Sequence, residues 1–303
     1  MRRAVKGLVE TVLVGSGFPR RAIERRTRDL AILAYHNVVP RGERAAGDRS
    51  LHIPQAAFGE HLDRLGETHR FVSLEEAFDR DQAGPRAVIT FDDGYAGALS
   101  AGMEELKSRD LPATVFVNPG ALEWEGFWWD RLADPGSGEL PASIREHALR
   151  RLGGMQEHVL AWARSQGLAV ATVPEHARPA SLDRLMETAA WPRITLASHT
   201  WEHTCLPEIP GDRALDQVER SLSWLRARFA KTSDWIAYPY GMSSPAVRDL
   251  ASRFHRGGLL VTGGIVSTVR SPSDLFQVPR LNIPSGLTRE GLVLRLAGWV
   301  APD

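Results

Sequence analysis

The 303-residue chain has a single cysteine, Cys205, so it holds no internal disulfide and its fold needs no oxidising compartment. It also lacks an excess of either charge: Lys and Arg number 37, Asp and Glu 37, and the formal net charge is zero. Without a global basic field to gather phosphates, nucleic acid is not an expected partner. No uninterrupted apolar run approaches the roughly 18 residues that a membrane-spanning helix needs. Internal repeats and extended low-complexity tracts are missing too. What remains is ordinary globular composition, 43% hydrophobic and 24% charged, enough for a sizeable core in one large domain or two smaller ones.

The first residues resemble a signal peptide only faintly. Arg2, Arg3 and Lys6 precede Leu8-Val9, but Glu10 interrupts the apolar stretch and no small-x-small cleavage pattern follows. Residues 1–29 therefore read as a basic helical arm, with Arg20, Arg21, Arg25, Arg26 and Arg28 facing only Glu10, Glu24 and Asp29. Such an arm can make peripheral contact with an anionic membrane surface; a solvated helix face is the commoner use of such a run. The expected location is the cytoplasm, including its inner membrane surface.

From Leu30 onward, short apolar strands alternate with helical segments. Strands are expected at 30–35, 71–72, 87–91, 114–117, 194–197, 235–238, 258–262 and 277–281, and helices at 58–66, 96–108, 214–229 and 246–253. Repeated strand–helix units predict an α/β protein with a mainly parallel sheet, and their number favours a barrel over an open sheet. Between 121 and 192 the rhythm breaks. Trp124, Phe127, Trp128 and Trp129 lead into helical stretches that read as an insertion in a strand-to-helix loop, on the active face of such a barrel. The tryptophans suit either stacking on sugar rings or packing the insertion.

Three strand ends carry the chemistry. Ala87-Val88-Ile89 runs into Thr90-Phe91-Asp92-Asp93-Gly94-Tyr95. Adjacent carboxylates at the end of a buried strand repel, and a cation would relieve the strain; a solvated Asp-Asp-Gly turn is the plainer alternative. A second strand runs into Ser198-His199-Thr200-Trp201-Glu202-His203. Two histidines four apart can face the same way on a helical turn and share a metal, although the pair alone is no more than a coincidence would give. Two His and one carboxylate leave open positions on a zinc-like ion, the pattern of a catalytic site. Cobalt, nickel and iron suit the same donors. A second carboxylate beside such an ion can serve as general base. The third strand end is Ala237-Tyr238-Pro239-Tyr240-Gly241, a tight loop whose amides could face an oxyanion, or a plain turn.

Taken together, residues 90–95, 199–203 and 238–241 resemble the first three motifs of the polysaccharide deacetylase family, the NodB-homology domain of carbohydrate esterase family 4. The resemblance covers roughly residues 30–282. It implies a distorted (β/α) barrel spanning 30–303, with the 121–192 insertion, and metal-dependent removal of N-acetyl groups from a carbohydrate, a polysaccharide or glycan precursor. By that resemblance Asp92 is the general base, Asp93, His199 and His203 bind the metal, most simply Zn2+, and Tyr240 lends its backbone N–H to the oxyanion hole. Two features depart from the family pattern. The third-motif Arg that orients the base is replaced by Ala237, and Arg280 on a late strand is the proposed substitute. The terminal Leu-x-x-His motif is absent. His36, at the end of the first strand, is the candidate general acid, as in a subset resembling deacetylases of poly-N-acetylglucosamine and exopolysaccharide; a buried structural histidine is the alternative. His52, His61, His69, His147, His158 and His176 are expected at the surface or in packing. The departures leave open a sugar-binding relative with impaired catalysis, or a deacylase of a non-sugar amide.

Overall fold

The computed structural model describes residues 2–26, 29–78, 84–266 and 271–300. Arg28, and the side chains of Arg2, Arg3 and Lys6, lie outside the described residues. Ten strands are described in chain order: β1 (Leu30–Tyr35), β2 (Asn37–Val39), β3 (His52–Pro54), β4 (Arg70–Phe71), β5 (Arg86–Phe91), β6 (Ala113–Val117), β7 (Ile194–Ser198), β8 (Thr232–Ala237), β9 (Gly257–Gly263) and β10 (Val278–Asn282). Strands β5 to β10 pair in sequence, and β1 bonds to both β10 and β5. That last pairing closes a parallel ring, a distorted (β/α) barrel, with the short β4 flanking β5. Burial on both faces explains why these strands read as continuous apolar runs: every residue of β1, β5, β6 and β7 is buried.

Strand alternation sorts the side chains. Leu30, Ile32, Val88, Phe116, Ala197, Trp235, Ala237, Leu259 and Val278 form one core inside the ring. Their neighbours Ala31, Leu33, Tyr35, Ile89, Phe91, Val115 and Leu281 pack outward against the helices. Continuing the inward series by steps of two reaches His36, Thr90, Asp92, His199 and Arg280. Register then levels them. Tyr35 pairs with Phe91 and Val117 with Ser198, so the residues that follow leave the ring at one rim.

Several local expectations change. The segment expected as one helix over 96–108 is a π turn, Ala98–Gly102, opening into a short helix, Met103–Lys107. Gly97, just before it, lies against the Val38 carbonyl, where an added Cβ would sit 2.3 Å away. The small β2–β3 sheet and the helix Arg289–Leu296 carry no sequence expectation. The insertion between β6 and β7 holds helices at Ala142–Leu152, Gln156–Ser165 and Leu182–Ala189.

Burial pushes His61, His69 and His255 down to about 4. A depressed histidine binds fewer protons folded than unfolded, so its contribution is complete above pH 6.5 and is lost as pH falls toward 4. Each is expected to cost about 3 kcal/mol once fully protonated in the unfolded chain. Urea midpoints should therefore drop steadily between pH 7 and 4.5. A flat profile over that range would contradict the assignment.

Candidate active site

The rim residues surround a cavity of about 320 Å³ lined by His36, Asp92, Asp93, Trp129, Arg145, His199, His203 and Tyr240, among others. Asp93, His199 and His203 converge: Asp93 Oδ1 lies 3.3 Å from His199 Nε2 and 3.1 Å from His203 Nε2. The three side chains are buried, and Asp93 Oδ1 accepts no hydrogen bond. His199 Nδ1 donates to the Ala237 carbonyl at 2.7 Å, which leaves its Nε2 lone pair facing Asp93. The three side chains each offer a ligand atom within 4.8 Å of one another, a set that fits a cation. The Ala237 backbone carbonyl thus fixes the His199 tautomer.

The His-x-x-x-His pair does not form the helical turn that its spacing suggests. Thr200 and His203 have φ of 67° and 53°, and the histidines meet through an irregular loop. Asn118 Nδ2 holds that loop by donating to the carbonyls of His199 and Thr200. Of five non-glycine residues with positive φ among the described residues, Asp93, Thr200, His203 and Tyr240 belong to this site. Each such residue costs about 1–3 kcal/mol, so the surrounding structure must hold them there. Part of that hold comes from Gly241, φ 66°, whose position presses against Val261 too closely for any Cβ.

Asp92 sits beside the triad with a different partner. Arg280, fully buried, donates to both its oxygens, at 2.8 and 2.6 Å, and also to Thr90 Oγ1 at 3.0 Å and the Leu260 carbonyl at 2.7 Å. Burial alone would raise the Asp92 carboxyl, but Arg280, with His199, more than offsets it and holds it below the usual range. Asp92 is thus an ionised, bidentately held carboxylate. His36 is half-buried on the cavity wall; burial lowers its pKa, opposed by Asp93 and Asp92.

Tyr240 places its ring 4.5 Å from that of His203, and its hydroxyl accepts from Trp128 Nε1 at 3.2 Å. Trp129 packs 4.6 Å from the His203 ring and 6.0 Å from the Tyr240 ring, edge-on to it. The two aromatic residues orient His203, whose Nδ1 has no hydrogen-bond partner. Trp129 lines the cavity, whereas Trp128 is wholly buried and Trp124 packs against the core.

A network that the sequence did not reveal stands behind Trp129. Its indole N–H donates to Tyr95 Oη at 2.8 Å, and the Tyr95 hydroxyl donates to Asp130 Oδ2 at 2.7 Å. Asp130 Oδ1 accepts from His52 Nε2 at 2.9 Å and from the Asp48 N–H at 2.9 Å. Asn37 donates to His52 Nδ1, which fixes the tautomer. Burial, with Asp130 and Asp93 nearby, pushes the Tyr95 hydroxyl well above its ordinary value, so it remains a donor. The available signals were adjacency alone: Tyr95 follows the Asp pair, and Asp130 follows Trp129.

A closed parallel barrel with a one-carboxylate, two-histidine cluster at its carboxyl rim, beside a second carboxylate locked to arginine, defines a class of (β/α) barrel proteins with a candidate metal site. Within that class the chain belongs to the polysaccharide deacetylase family, whose model matches residues 79–256. Solved structures share the fold. A polysaccharide deacetylase from Bacillus cereus is 16% identical with a TM-score of 0.65, covering 88% of this chain and 69% of that one. The deacetylase PplD of Streptococcus pyogenes, solved with acetate, is 18% identical (TM-score 0.61, covering 88% and 98%). IcaB from Ammonifex degensii is 19% identical (TM-score 0.60, covering 89% and 97%). No curated protein sequence matches the chain.

Proposed function

We propose that this protein is a metal-dependent hydrolase that removes N-acetyl groups from a carbohydrate, releasing acetate. The observation that carries the reading is the division of labour at one rim: three possible ligand atoms within 4.8 Å of one another, and beside them a carboxylate that Arg280 keeps ionised. A divalent ion held by Asp93, His199 and His203, Zn2+ first among the candidates, would supply the Lewis acidity that activates water and polarises the acetamide carbonyl. Asp92 takes the proton from the attacking water. The backbone N–H of Tyr240 donates to the developing oxyanion. His36 gives a proton to the leaving amine, and Arg280 positions Asp92 without touching substrate. Trp129 offers an aromatic wall against the apolar face of a sugar ring.

The Arg280–Asp92 pair and the place of His36 in the cavity support an enzyme over a sugar-binding relative, because a binder has no use for a positioned base. The experiment is acetate release from N-acetylglucosamine oligomers by protein stripped with chelator and then reloaded with Zn2+, Co2+, Ni2+ or Fe2+. Stripping should remove turnover and one of the ions should restore it. Release of acetate from small acetanilides but from no sugar would move the substrate to a non-sugar amide, and no release with any ion would favour the binder.

A further inference from the structure

The helix Arg2–Gly15 packs on Arg289–Leu296 the wrong way round for a solvated helix. It buries its one acid: Glu10 accepts from Thr288 Oγ1 at 2.7 Å. It exposes aliphatic side chains instead, with Val9, Val12 and Leu13 at 51%, 66% and 38%. Their spacing places them in one stripe. Phe18, at the start of the helix Phe18–Glu24, is 60% exposed. Gly298 lies against the Arg26 guanidinium, so Trp299 and Val300, also exposed, adjoin the far end of that helix. Among the described residues, six of the eight exposed large hydrophobics are these, so the apolar surface is concentrated and not scattered.

The charge beside this patch is positive. Arg20, Arg21, Arg25 and Arg26 are exposed. Arg20 pairs with Glu24 and Arg26 with Asp29, whereas Arg21 and Arg25 have no ion pair among the described residues. A second copy meeting this face by a two-fold axis would bring its own unpaired arginines up against these. An anionic headgroup layer offers them partners and gives the apolar stripe a hydrocarbon edge.

We propose that this surface, formed by the two N-terminal helices and residues 299–300, docks the protein peripherally on an anionic lipid bilayer such as a cytoplasmic leaflet presents. Val12, Leu13 and Phe18 enter the interface, and Arg21 and Arg25 sit at headgroup level. The inference does not depend on the chemistry of the cavity. Full-length protein should co-sediment with vesicles of phosphatidylcholine containing about 30% phosphatidylglycerol, and much less with phosphatidylcholine alone. The double variant Val12→Asp, Leu13→Asp should lower the bound fraction by about tenfold or more, and Arg21→Glu with Arg25→Glu should lower it and flatten its salt dependence. Thermal midpoints of both variants should match the parent, because all four side chains are exposed. Binding that ignores lipid charge, or survives the aspartates, overturns the proposal. So does light scattering that shows a dimer which the aspartates dissolve, since a second copy would then own the surface.

Discussion

Arg280→Met is expected to lower the unfolding free energy of the metal-free protein by about 3–5 kcal/mol, the usual consequence of leaving one partner of a buried ion pair alone. The reason is visible at Asp92. Its two oxygens lie on the inner side of the ring, where Arg280 is wholly buried and where Thr90 and the Leu260 carbonyl take its other donors. Methionine fills the volume but removes the carboxylate's main counter-charge, and burial then pushes the Asp92 carboxyl upward. The same variant should therefore lose turnover with its metal content intact. Combining it with Asp92→Asn should be less destabilising than the sum of the two singles, because the orphaned charge is gone. Urea unfolding of the four proteins measures this directly. Strictly additive effects would mean that the pair is not coupled.

Asp92→Asn by itself should reduce kcat by about 10²–10⁴-fold, the range for removing a positioned general base, with the bound metal unchanged. The amide keeps the shape and loses the ability to accept a proton. Asp93→Asn should act differently, lowering metal content first, because its Oδ1 faces both histidines. Measuring metal by elemental analysis alongside turnover separates the two aspartates. If Asp92→Asn also strips the metal, or retains near-parental turnover, the assignment of base and ligand within the pair is wrong.

How much of this could be read from the chain depends on range. The strands were legible because burial on both faces writes them as apolar runs, and the rim residues were legible because each follows such a run. The two-stranded β2–β3 sheet was not, since Asn37–Val39 and His52–Pro54 are too short to show a period. The geometry at His199 and His203 was misread as a helical turn because left-handed residues such as Thr200 leave no mark in composition. The network from His52 through Asp130 and Tyr95 to Trp129 was invisible for another reason. Its members come from three segments brought together only by the insertion, and no local spacing encodes that meeting.

Closure of the ring has a consequence for when this chain becomes chemically competent. The candidate metal donors come from the ends of β5 and β7, while the carbonyl that fixes His199 and the ring beside His203 come from β8 and the turn that follows it. Arg280, which holds the proposed base, comes last in the chain, on β10, the same strand that seals β1 against its neighbours. A chain ending before β10 would lack both the strand that closes the ring and the arginine that holds Asp92. Sealing the barrel and tethering the proposed base are then one event, carried by a single final stave.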